Sequence, residues 1–148
     1  MEFHHPMGCN YNTNETDYGP QPLVANIMHT ARQNSNFRTA FWTGHYLQMT
    51  LMSIPPCGEI GAEMHPDTDQ YIRIEKGTAV VRMGCKDKLV TQRYLSTGDA
   101  IFVPHGTWHN VINSGNCPLK LSSIYAPPQH PRGTVHRTKE DAANEEAY

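Results

Sequence analysis

The sequence carries no run of lysine or arginine, and charged residues make up only 18% of its 148 positions. With a formal net charge of −2 and a pI near 6.5, it lacks the basic patch of a nucleic-acid binder. No stretch approaches the eighteen or so consecutive apolar residues that span a bilayer. The start, Met1-Glu2-Phe3-His4-His5-Pro6, lacks the basic head and apolar run of a secretory signal, so the expectation is a cytoplasmic protein without membrane or nucleic-acid partners. Cys9, Cys57, Cys85 and Cys117 form no C-x-x-C pair, and small half-buried thiols are expected in place of a disulfide or thiolate metal site. Neither a nucleophile motif nor a phosphate-binding loop is evident, which disfavours hydrolase and kinase chemistry.

What the chain does have is punctuation. Its 11 glycines and 11 prolines bound short segments in which apolar residues alternate, and the length suits one domain with a real core. Residues 1–22, crowded with Asn, Tyr, Thr, Gly and Pro, read as an irregular arm. A short helix is expected over 26–34. Strands are expected at 37–42, 46–52, 60–65, 70–75, 78–83, 89–95, 100–103, 108–113 and 119–125. Such spacing implies an all-β sandwich or barrel over residues 23–132. The acidic tail, 133–148, opens with Thr138-Lys139-Glu140-Asp141, which has the form of a capping box, and a helix is expected over 140–146.

Two segments carry the chemistry. In the first, Gly58 to Gly77, alternation along an extended strand puts Glu63 and His65 on one face with Met64 on the other. Pro66-Asp67-Thr68-Asp69 makes a turn, and Gln70 opens the next strand, its amide oxygen able to aim back at the same point. Ile72 and Ile74 then share the face of Gln70. In the second segment, Gly98 to Asn113, a Pro104-His105-Gly106 turn leads into a strand that begins near His109.

These residues resemble the two motifs of the cupin superfamily, G-x5-H-x-H-x3,4-E-x6-G and G-x5-P-x-G-x2-H-x3-N. The second motif matches at Gly98, Pro104, Gly106, His109 and Asn113. In the first, His65 and Gly77 match, Glu63 stands for the first histidine and Gln70 for the glutamate, while Gly58 comes one residue late. The resemblance implies a jelly-roll (double-stranded β-helix) antiparallel barrel, with a short N-terminal and a C-terminal helix added by the reading above. It also implies one divalent metal ion held by Glu63, His65, His109 and Gln70, the last either directly or through a neighbour.

Two imidazoles, a carboxylate and an amide accept Fe, Mn, Zn, Ni or Co. The composition is similar to that of type I phosphomannose isomerases, although their Gln and Glu stand in reversed positions. The implied activity is metal-dependent chemistry on a small oxygenated molecule: isomerase-like on sugar or keto compounds, or dioxygenase-like with Fe(II). A non-catalytic binding or storage cupin is the alternative. Phe41, Met49, Met52, Ile72, Tyr125 and His136 are candidates to line the pocket, and His45, His105 and His130 are expected at turns or on the surface. A homodimer is expected, paired through residues 22–41.

Overall fold

The computed structural model describes residues 16–85 and 88–146, the side chain of Glu146 excepted. Nine strands and two helices follow in order: α1 (Ile27–Gln33), β1 (Arg38–Thr43), β2 (Gln48–Ile54), β3 (Asp69–Lys76), β4 (Thr78–Cys85), β5 (Lys88–Ser96), β6 (Ala100–Val103), β7 (Trp108–Asn113), β8 (Leu119–Ala126), β9 (Val135–His136) and α2 (Lys139–Glu146). They form a six-stranded sheet, β6-β3-β8-β2-β1-β9, facing a three-stranded sheet, β5-β4-β7. Every strand pairing within the two sheets is antiparallel, which is the jelly-roll arrangement.

Period-two alternation decides what lies between the sheets. Met52 and Ile54 of β2, Ile72 and Ile74 of β3, Ala79 and Val81 of β4, and Leu119 and Leu121 of β8 are all buried in one cluster. The other face of the large sheet packs a second cluster, in which Ala31 of α1 meets Phe41 and Leu51. The register of β1 against β2 shifts between Ala40 and Trp42, a bulge that turns both Phe41 and Trp42 toward this outer cluster. Phe41 and Met49 therefore pack outside the barrel, away from its interior.

Three local features differ from the sequence reading. Residues 60–65 are no continuous strand: Gly61 has φ of +100°, and only Glu59 and Glu63 bridge to β7, opposite Ile112 and His109. Val135–His136 is a strand on the outer side of β1, so β1 has a neighbour on both sides within one chain. Cys57, Cys85 and Cys117 are free and exposed, where half-buried thiols were expected, and Cys9 lies outside the described residues.

Both helices begin on side-chain caps. Asn26 accepts the amide of His29 at the start of α1. At α2 the capping is reciprocal: Thr138 Oγ1 accepts the Asp141 amide, and Asp141 Oδ2 accepts the Thr138 amide. Helix α2 is not wholly exposed, since Ala142 is buried in the main core. Thr138→Ala is expected to lower stability by about 1 kcal/mol, read as a lower urea midpoint. An unchanged midpoint would mean that α2 contributes nothing to the folded barrel.

Candidate metal centre

Glu63 and His109 face each other across an antiparallel bridge and exchange both backbone hydrogen bonds, each 2.9 Å long. That exchange sets their side chains side by side. His65 is brought to the same point by the turn of the second motif. Gly106, at φ of +79°, donates its amide to His65 O at 2.8 Å. The amide of His105 goes to Asp69 Oδ1, and the His105 ring bonds Pro66 O. Asp69 thus closes the junction of the two motifs, a role beyond the self-bonded turn residue that its position suggested.

Glu63 Oε1 lies 3.5 Å from His65 Nε2 and 3.3 Å from His109 Nε2. The three potential ligand atoms are all within 4.8 Å of one another. Two donors bound at about 2.1 Å around one tetrahedral ion are about 3.4 Å apart, so these spacings fit a shared cation. His109 Nδ1 bonds the Thr107 carbonyl at 3.0 Å. With its proton held there, the ring leaves the Nε2 lone pair free.

The donors are otherwise unspent. Glu63 Oε1, His65 Nε2, His109 Nε2 and Gln70 Oε1 are all buried without a hydrogen-bond partner. Gln70 Nε2 donates to Ser123 Oγ at 2.7 Å, which fixes the amide orientation and leaves the oxygen open. Four orphaned acceptors in the barrel are costly unless something meets them, and one cation meets the three of Glu63, His65 and His109. The residues present therefore fit a divalent ion.

Electrostatics keep the carboxylate in the charge state that a cation needs. Burial disfavours the Glu63 carboxylate, but the imidazoles of His109 and His65 outweigh it and hold the group well below the usual carboxylate range. Burial also pulls His109 down, yet Glu63 and the Thr107 carbonyl raise it above the ordinary imidazole value. Glu63 is ionised, as a ligand must be.

Of the remaining pocket candidates, Tyr125 packs edge-on against His65, with ring centroids 5.6 Å apart, and its hydroxyl is pushed up, mainly by burial. Met52 and Ile72 sit in the main core. His136 is buried, bonded through Nδ1 to Arg38 and through Nε2 to Glu145 of α2. His45 and His105 are exposed as expected. His130 is half-buried where a turn or surface position was expected: its ring lies 5.2 Å from Tyr125, in the chain of aromatic contacts that leads to His65. It and Arg38 are the residues that the sequence reading missed. Arg38 was detectable as a charged residue in phase with Ala40 on an otherwise apolar strand, whereas the loop carrying His130 has no periodicity to read.

A family model for the cupin domain matches residues 50–125. The chain belongs to the cupin family. This cupin is 59% identical over 127 residues to the uncharacterized protein YrkC of Bacillus subtilis (strain 168), covering 85% of this chain and 68% of that protein. It is 44% identical over 116 residues to protein L612 of Acanthamoeba polyphaga mimivirus, covering 78% and 71%. The crystal structure of BH2720 from Bacillus halodurans superposes with a TM-score of 0.86 at 54% identity, over 87% of this cupin and 98% of that chain.

The charge on Arg38 and burial lower His130 to about 3, burial being the larger cause, so the folded protein keeps this imidazole neutral. Unfolding frees it to take up a proton below about pH 6.5. Its contribution to stability is complete above that pH and drains away as the pH falls toward 3. His130→Phe is expected to lose less stability than the parent between pH 6.5 and 4.5 in urea titrations. Parallel losses in the two proteins would show that His130 is not desolvated.

Proposed function

We propose that this cupin is a metal-dependent enzyme acting on a small oxygenated molecule, with one divalent ion held by Glu63, His65 and His109 and assisted by Gln70. The observation that carries the reading is the set of three buried, unpartnered donors of Glu63, His65 and His109 around one point, with the Gln70 oxygen also buried and unpartnered. An ion bound there supplies Lewis acidity, polarising a carbonyl or hydroxyl oxygen, as isomerase or lyase chemistry on sugar or keto compounds requires. Thr107 and Ser123 orient His109 and Gln70. Tyr125 and the apolar residues beneath it exclude water from that end of the barrel.

Fe, Mn, Zn, Ni and Co all suit two imidazoles, a carboxylate and an amide. Iron would direct the same donors to dioxygenase chemistry. Elemental analysis of untagged protein is expected to find about one ion per chain, with at least a ten-fold lower occupancy in Glu63→Ala, His65→Ala and His109→Ala. Gln70→Ala is expected to weaken retention less. Unchanged metal content in Glu63→Ala and His109→Ala would refute the centre. If loaded protein neither consumes O₂ nor interconverts hydroxy-ketones, sugars or keto-acids, the catalytic reading gives way to ligand storage.

A second copy of the chain is the other partner we propose. Pro22, Leu23, Ala25 and Ile27 border an apolar groove with Phe41 and Trp42, and Val24 and Tyr46 beside it are exposed. Light scattering is expected to give a dimer mass, and a monomer mass would overturn the pairing.

A further inference from the structure

The polar end of the barrel holds a cation that the metal donors do not explain. Arg38 lies on β1 opposite His136 and is only 2% exposed. Its Nη1 lies 3.3 Å from His136 Nδ1, and its Cζ is 5.4 Å from the centroid of the Phe37 ring. Neither contact supplies negative charge. Nε is buried without a hydrogen-bond partner, and among the described residues no carboxylate pairs with the guanidinium. The acids nearest in the network face other groups, Glu63 the two imidazoles and Glu145 the far side of His136.

An arginine cannot shed its proton to escape this position. A buried cation without a counter-ion is strongly destabilising, so its retention calls for an anion. A cavity of about 120 Å³ supplies the space. Its lining includes Arg38, Glu63, Gly61 and Lys139, so the guanidinium and one of the metal donors border the same volume, with a second cation at the rim. Beyond His136, with ring centroids 6.5 Å apart, His130 adds an imidazole whose buried Nε2 also has no partner.

We propose that the ligand of this barrel is a small carboxylate, specifically a short hydroxy- or keto-acid, whose anionic end is held by Arg38 within the cavity that Glu63 borders. A carboxylate matches the guanidinium fork and neutralises its charge. The hydroxyl or keto oxygen on the adjacent carbon then lies toward Glu63, His65 and His109. The second half of this assignment rests on the metal reading above. The first half, an anion on Arg38, does not.

Calorimetric titration of metal-loaded, untagged protein with pyruvate and lactate, and with their uncharged amides, tests the proposal. At least one acid is expected to bind, with its amide at least ten-fold weaker. Arg38→Gln is expected to lower acid affinity at least ten-fold with ion content unchanged, and Arg38→Lys to restore part of it. Equal binding of acid and amide, no binding of either acid, or full affinity in Arg38→Gln would overturn it. Where Arg38→Gln does not fold, the acid and amide comparison on the parent protein decides alone. Glu63→Ala, measured for ion content in parallel, reports separately on the metal reading.

Discussion

The paired hydrogen bonds between the backbones of Glu63 and His109 hold the two halves of the site together. They join a loop that has no strand of its own to the edge of the small sheet, at β7. Without that bridge, Gly61 would leave the segment free to swing, and the carboxylate would have no reason to meet the imidazoles. The amide of Gly61 donates to Asn110 Oδ1, so the residue after His109 also anchors the loop. One short stretch of β7 therefore sets both the position of Glu63 and the direction from which it approaches.

The barrel is divided along its length. At one end Ile54, Ile74, Leu119 and Leu121 are all essentially inaccessible to solvent, and their burial supplies the hydrophobic driving force for closure. At the other end the same inward positions carry Ser123 and the row of Gln48, Tyr125 and Gln70, which stand in register across β2, β8 and β3. Polar residues in these rows weaken the core, and each loses its hydration on burial. Gln48 recovers the loss: its amide group donates to Thr43 and His130 O, and its oxygen accepts from Gln129 and His130. Gln70 recovers only half. The difference between two glutamines on the strands either side of β8 separates a structural hydrogen-bond network from a site that awaits an occupant.

Much of this was legible because alternation and turn chemistry are local. The limits of β6 and β7 followed from Gly98, Pro104 and Gly106, and the inward phase of Gln70, Ile72 and Ile74 from period two. The donors Glu63, His65, Gln70 and His109 were legible through motif spacing, and the structure brings the first, second and fourth within ligand range of one another. What was not legible depends on contacts between distant segments. The bulge that sends Phe41 outward arises from pairing with β2, and the burial of His130 depends on a loop returning over Tyr125. The two-residue strand β9 is too short to carry a periodicity, and its partner Arg38 lies nearly a hundred positions away in sequence (|i−j| = 98 for the Arg38–His136 bond).

That long-range pairing gives the tail a structural connection to the site. β9 places His136 beside Arg38, and α2 follows at once, with Glu145 on the outer nitrogen of the same ring. A lone buried arginine is free to turn its fork toward solvent, whereas one tethered through histidine to a helix is held in a single direction. Ala142 fixes the helix against the core, and Lys139 reaches the rim near Gly61. The acidic tail, which reads as an exposed appendage from composition alone, thus forms one wall of the cavity between the guanidinium and the metal donors. Its capping residues act at a distance from any ligand, by keeping that wall in place.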